Sequence, residues 1–358
     1  MRVVFLSLVV LPLVGCGSAG SLRVTAVSGT SGGKLIRVRG TIETVAMDGP
    51  RVAYDRSVPA AGCNKAFVAN LLTGKSQVVS RCFSDLSTSR YLAIAGRRIA
   101  WIDEACDPSG CDQTLAAASL PRGKPRELAT TSCNNGNADT GEPCGGTSIE
   151  SLVGSGNLLA VNRGATNRKG VDTSSSLDVI GANGLRQVAS GGKARWAEAA
   201  DSGHVAVLRE NGTVGIYSAQ GRLLGVVKPR SVASEFFSGY GDSLALDEND
   251  LLVITKKRTL DVYDWHSGAR LYSWPVRRGA TNLSASAGLA AYAEAHALGG
   301  PYKLHVVRLA TGKDVTLGTG TWFTGERDVV LGSDGLVYLK NRRTLLNIPL
   351  DRALAAVS

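Results

Sequence analysis

The feature that most constrains this chain is a short motif returning at a nearly fixed distance. A small or polar turn followed by an aliphatic run reads MDGPRVAY at 47–54, IAGRRIAW at 94–101 and GSGNLLAV at 154–161. It returns as DSGHVAVL at 201–208, DENDLLVI at 247–254, SAGLAAYA at 286–293 and GSDGLVYL at 332–339. The residues that end these turns, Gly49, Gly96, Gly156, Gly203, Asp250, Gly288 and Gly335, lie 47, 60, 47, 47, 38 and 47 positions apart. A period of this size marks a repeat architecture, in which each unit buries its faces only against its neighbours.

Each unit has a second half, a hairpin around a Thr-Gly-Lys type of turn. It reads VANLLTGKSQVV at 68–79, IYSAQGRLLGVV at 216–227, VYDWHSGARLYS at 262–273 and VRLATGKDVTL at 307–317, with blurred copies at 118–128 and 179–189. The flanking runs are short, alternating and rich in Val, Leu and Ile, as half-buried strands require. Four strands per unit and seven units predict an all-β fold, a seven-bladed β-propeller of four-stranded antiparallel blades. A ring of repeats also lets residues 21–358 form one domain, although 358 residues exceed the usual single-domain size. After the last motif only Arg342–Leu350 remains for a third strand. An N-terminal segment, Lys34–Arg39, is therefore expected to supply the outer strand of the last blade and close the ring, with Ala353–Val357 as the rival.

Residues 1–20 stand apart from this pattern. Arg2, the aliphatic run Val3–Val14 and the stretch Leu13-Val14-Gly15-Cys16 read as a signal peptide ending in a bacterial lipobox. Gly17-Ser18-Ala19-Gly20-Ser21 then serves as tether, and Cys16 as the lipidated residue. This predicts an exported protein, lipid-anchored at the bacterial cell envelope. The alternative is a secreted or periplasmic soluble protein cleaved further on. The six other cysteines, Cys63, Cys82, Cys106, Cys111, Cys133 and Cys144, read as a disulfide framework. Sequence order favours the pairs 63–82, 106–111 and 133–144, and zinc spacing is absent.

In a propeller blade of strands a to d, counted outward, the a–b and c–d turns share one face of the ring. The b–c loops and the crossings between blades share the other, and all six cysteines fall there. Loops carry function more often than the scaffold beneath them. Arg56, Glu104, Asp107, Asp112, Asn134, Asn135 and Glu142 are accordingly the candidate binding-loop residues. The net charge of +10 is spread as single arginines, which reads as a solvated surface and gives no sign of a nucleic-acid partner.

The chain contains no GxSxG, Walker-loop or HExxH pattern. His204, His266, His296 and His305 occupy different repeats without ligand spacing and read as turn or strand residues. The acidic turn Asp247-Glu248-Asn249-Asp250 lacks the calcium-loop pattern and reads as turn chemistry. Asp103 and Glu104 are adjacent on one strand, so they point to opposite faces and cannot flank one substrate. No catalytic, metal or cofactor residue is assigned, and no cofactor is expected.

The run Val262-Tyr-Asp-Trp-His-Ser-Gly-Ala-Arg-Leu-Tyr272 resembles the repeat of quinoprotein-type and, more loosely, WD40-like propellers. There Asp-x-x-Thr-Gly precedes an aromatic residue that docks neighbouring blades. Asp264, Ser267 and Gly268 match, Tyr272 stands where that family places Trp, and Trp274 follows. The resemblance implies the propeller fold; the adjacent cysteine pair of the quinone-binding members is missing. The expected function is a non-catalytic binding or scaffold propeller whose partner is another envelope protein or polymer. One alternative is a propeller-type hydrolase, lyase or oxidoreductase with its site in the central channel. Another is a carbohydrate or wall-polymer binder using Trp196, Phe236, Phe237, Tyr240 or Trp322.

Overall fold

The computed structural model describes residues 23–26, 34–58, 63–80, 88–107, 110–132, 146–167, 172–190, 194–201, 203–209, 211–233, 243–325 and 327–358. They form a seven-bladed β-propeller of antiparallel sheets. The inner strands of blades 1 to 7 are Val45–Asp48, Thr88–Ala95, Gly146–Ser155, Ala194–Asp201, Leu244–Asp247, Ala280–Ser286 and Val329–Gly332. Each inner strand touches the next, and that of blade 7 touches that of blade 1.

The period-2 alternation read from the sequence is what joins the blades. In the second strand of blade 1, Arg51–Val58, Val52 and Tyr54 pack with Val337 and Leu339 of blade 7. Ala53, between them, packs instead with Ile99 and Trp101 of blade 2. Successive side chains thus serve opposite neighbours. Trp101 is wholly buried against the small Ala53, so bulk on one blade fills the hollow left by the other. Burying one such large side chain contributes about 1.5–3 kcal/mol, which explains why no blade needs a core of its own.

In blade 7 the strands Val329–Gly332, Gly335–Asn341 and Thr344–Pro349 are joined by Lys34–Arg37, and Arg23–Ala26 adds a fifth strand. Lys34 to Arg37 pair antiparallel with Asn347 to Thr344. Lys34 Nζ also donates 2.8 Å to the Leu71 carbonyl of blade 1. The third strand ends at Pro349, one residue short of the expected Leu350, and the chain turns into a helix, Leu350–Ala356. Residues 353–357 therefore supply no strand. The segment is rich in Ala and Leu, which favour helix, and it buries Ala353 and Val357 against Leu336 and Ile348.

Candidate functional site

The two faces of the ring are built differently. On one face, two-residue turns such as Gly96-Arg97 and Gly156-Asn157 join the first and second strands. On the other, four of the six crossings between blades are longer, at 79–87, 133–145, 228–243 and 321–328, and two are short, at 191–193 and 276–279. Three cysteine positions have a described backbone, and they lie toward this second face. Cys63 opens the third strand of blade 1. Cys106 and Cys111 stand directly opposite each other in the ladder of blade 2. Cys82, Cys133, Cys144, Asn134, Asn135 and Glu142 lie outside the described residues, as do residues 1–22 with Cys16. The side chains of Cys63, Cys106, Cys111 and Asp107 are likewise outside the description.

Among the remaining candidate contact residues, Asp112 is exposed. The Arg56 guanidinium lies 4.1 Å over the Phe67 ring, and burial lowers its pKa. Glu104 is only 4 % exposed and accepts a 3.0 Å hydrogen bond from Gln113 Nε2. Gln113 Oε1 in turn accepts the Ile149 backbone N–H of blade 3 at 2.7 Å. Asp103 accepts the Trp101 indole N–H at 2.9 Å. The two neighbouring carboxylates thus serve separate bonds, and Glu104 is part of the blade interior rather than its surface.

The central channel holds a cavity of about 170 Å³. Val153, Leu244, Val329 and Leu331 border it but are at most 4 % exposed and pack between the blades, and its polar members include Asp48, Asn282, Ser284 and Arg327. Asp48 ends the inner strand of blade 1. Its two oxygens accept the Gly96 N–H at 2.5 Å and the Gly156 N–H at 2.9 Å, tying the turns of blades 2 and 3 together. In the acidic turn of blade 5, Asp247 likewise accepts Ala287 N–H at 3.1 Å and Gly288 N–H at 2.7 Å. Burial first, and then the neighbouring Asp247, Asp264 and Glu248, raise the pKa of Asp250.

His305 is the one histidine set in a dense polar network. Its Nδ1 lies 2.9 Å from Asp314 Oδ1 and its Nε2 2.9 Å from Glu294 Oε2. Tyr292 stacks on the ring at 4.8 Å and donates its hydroxyl to Asp314 Oδ2 at 2.7 Å. Burial raises the Tyr292 pKa, and Asp314 adds to the rise. Burial would raise Asp314 too, but the bonds from His305 and Tyr292 outweigh it and hold the carboxyl low. With His305 2 % exposed, both ring nitrogens are committed to blade 6. Among the described residues no group of three or more His, Cys, Asp or Glu is placed to hold a metal.

Trp322, the described member of the aromatic set proposed for sugars, has Arg342 3.3 Å over its ring and Gly299 packed against its edge. The side chains of Trp196, Phe236, Phe237 and Tyr240 lie outside the described residues.

Sequence reasoning missed the bonds that cross between blades. Trp274 donates its indole N–H to the Leu309 carbonyl of blade 6 at 3.1 Å. A Cβ on Gly312 would come within 2.4 Å of the Trp274 ring, so that glycine is the seat for it. Trp274, not Tyr272, is therefore the docking aromatic, and Tyr272 stacks on it at 5.9 Å. Arginines do the same work elsewhere. Arg51 reaches the Gly96 carbonyl, Arg98 those of Asn157 and Ile180, Arg126 those of Ala182 and Asn183, and Arg186 that of Ala219. Part of the basic surplus read as a solvated surface thus fastens blades 1 to 4 in succession.

No protein-family profile matches the chain, and no curated protein matches it in sequence. Among solved structures, 1082 chains match it in shape, so the shape is too common to select a function. One is the computationally designed Ika8 protein, at 16 % identity and a TM-score of 0.52. The alignment covers 92 % of this chain and 97 % of that one. A likeness of this degree establishes the propeller fold.

Proposed function

We propose that the protein is a non-catalytic binding or scaffold module of a bacterial cell envelope, anchored through lipid on Cys16. Its face of long crossings is the surface that meets an envelope protein or polymer. The observation carrying this reading is the asymmetry of the ring. One face has two-residue first turns and turn backbones bound by side chains of neighbouring blades, and the other has the four longest connections of the ring. The cysteines fit the same reading as bridges that pre-order those crossings. The pair Cys106 and Cys111 follows the hairpin-closing pair Asp107 and Gly110, so it occupies the narrow, non-hydrogen-bonded spacing of about 4.5 Å that a disulfide accepts.

An enzyme with its site in the channel would need carboxylates or imidazoles converging on the axis. Asp48 is the one carboxylate among the described lining residues, and both its oxygens are taken.

The test is site-specific photo-cross-linking in intact cells, with the cross-linker at Asp112 on the crossing face or at Asn183 on the turn face. Discrete adducts from Asp112 and none from Asn183 are expected. Equal adducts from both, or adducts from Asn183 alone, would sink the assignment. Intact mass of the native protein checks the accompanying claims. A diacylglyceryl addition on Cys16 and no free thiols at the six remaining cysteines are expected.

A further inference from the structure

Three stretches of the crossing face bring positive charge together at blade 5. The turn between its second and third strands, 255–258, presents Lys256, Lys257 and Arg258. The crossing into the blade adds Arg230, and the crossing out of it adds Arg278. All five side chains are exposed, and none makes an ion pair or side-chain hydrogen bond among the described residues. Backbone bonds hold the stretches side by side: Val276 N–H donates to Arg258 O, and Ala233 N–H to Ile254 O, each at 2.9 Å. Asp261, the acid nearest the turn in sequence, is 1 % exposed and takes hydrogen bonds from Thr259 and Ser273. Glu235 and Asp242 of the incoming crossing lie outside the described residues.

A second group of cations stands where the closing strand meets blade 7. Arg342 and Arg343 form the turn between the second and third strands of that blade. Arg343 O accepts the Val38 N–H at 2.9 Å, which sets Arg37 and Arg39 on either side of that bond. All four side chains are exposed, and Arg342 lies over the half-buried Trp322 ring. None of the four makes an ion pair or side-chain hydrogen bond among the described residues.

Between the two groups, the loop 296–301 of blade 6 holds Leu298, which is 51 % exposed. This loop is tied to both sides. Ala295 N–H donates to Gly279 O, next to Arg278, at 3.0 Å. Gly299 N–H donates to Phe323 O at 2.8 Å, beside Trp322, and Thr321 N–H donates to Lys340 O at 2.9 Å, beside the turn of Arg342. Cations, an apolar tip, an indole and further cations thus follow one another in an unbroken arc over blades 5 to 7. An exposed Leu and a Trp flanked by Lys and Arg is the composition of a protein surface at a bilayer interface.

We propose that this arc of the crossing face lies against an anionic phospholipid bilayer. Its cations meet the negative surface, and Leu298 enters the boundary between headgroups and acyl chains. The chain outside the described residues leads to the same place. Arg23 pairs with Arg37, and the seven residues from Cys16 to Arg23 span at most about 25 Å. Lipid on Cys16 would therefore hold the arc beside the bilayer, and an acyl anchor joined to a basic patch binds more stably than either alone. That step rests on the lipid anchor proposed above, whereas the arc itself does not. The cysteine-bearing crossings, 79–87 and 133–145, belong to blades 1 to 3 and remain for the envelope partner.

Vesicle flotation of the full-length chain with Cys16→Ser, which cannot take the lipid, tests the arc apart from the anchor. Vesicles of phosphatidylcholine alone are compared with vesicles in which a third of the lipid is phosphatidylglycerol. At about 0.1 M salt the second kind should hold at least about threefold more protein, and the excess should vanish at about 0.5 M. The apolar run Val3–Val14 acts on both kinds alike and cancels in that comparison. Lys257→Gln, Arg258→Gln, Arg342→Gln and Arg343→Gln together should abolish the excess while the melting temperature stays within a few degrees. Arg97→Gln, Arg122→Gln, Lys124→Gln and Arg222→Gln make the same change of charge on exposed residues of the turn face and should keep most of it. Leu298→Ser should cut the bound fraction at least about twofold. Equal binding to both kinds of vesicle, equal loss from the two sets of four, an unchanged bound fraction with Leu298→Ser, or capture of soluble polyphosphate without any phosphatidylglycerol excess would each overturn the proposal. Lipid found on Cys16 of the native protein with no excess in the Ser variant would remove the arc and keep the anchor, and the reverse would remove the anchor and keep the arc.

Discussion

Trp274 shows how much a single position can decide in this ring. The indole contributes a hydrogen bond to Leu309 and fills the space above Gly312. Trp274→Phe should keep most of the packing and lose about 1 kcal/mol, the net worth of one hydrogen bond. Trp274→Ala should lose about 2–4 kcal/mol, because the seat on Gly312 is left as a hollow. Chemical denaturation of the two variants separates these contributions. The motif around Asp264 and Gly268 was legible in the sequence, but the choice between Tyr272 and Trp274 was not. It depends on which of two residues on the same face of a strand lies level with the turn of the next blade. Asp261 allows a second prediction. Burial would raise its carboxyl pKa, but bonds from Ser273, Thr259 and Arg270 outweigh this and depress it. The folded value lies below the unfolded one, so its contribution is present above about pH 4 and is lost as pH falls through the folded value. Asp261→Asn should cost about 1–3 kcal/mol at neutral pH. The gap from wild type should stay level from pH 8 to 5 and close below about pH 4 in melts run across that range.

At the level of strands and turns, the sequence was most informative where chemistry repeats. A turn glycine and the alternating run after it must recur in every blade, because the same backbone angle and the same two packed faces recur. That is why the seven units are legible in the sequence. The inner strands were far less legible. Their bulges at Arg90, Glu150 and Asn282 leave no trace in an alternation pattern, since one extra residue simply looks like a shift of phase. The fastening bonds were hidden for a different reason. Arg126 and Arg186 reach carbonyls, and every residue offers a carbonyl, so no partner could be named from a list of residues. The terminal helix was missed because its seven residues are too few to display a helical period beside the strand before it.

Across the ring, every interface buries an apolar cluster, and most are also crossed by side-chain donors aimed at the next blade. The interface between blades 7 and 1 follows this rule through Lys34 and Leu71, as that between blades 5 and 6 does through Trp274 and Leu309. We infer that the strand Lys34–Arg37 is the fastener of the ring, and a chain lacking residues 21–38 tests this. That chain should retain β-rich circular dichroism but melt at least about 10 °C lower and over a broader range, since an open array of repeats loses its end-to-end cooperativity. An unchanged melt would show that the helix and inner strands suffice without it.

The pairing of Lys34 with Asn347 also sets an order of events. During synthesis the strand that borders blade 7 is made before any of the blades, and its partner is among the last segments to appear. For nearly the whole of that interval it presents unpaired backbone groups, the kind of edge that recruits strands from other chains. Contacts so distant along the chain also form late, because loop closure must precede them. The slowest step in maturation should therefore be the meeting of the two ends. A chaperone that shields residues 34–37 until then would matter more to yield than any help given to the blades between.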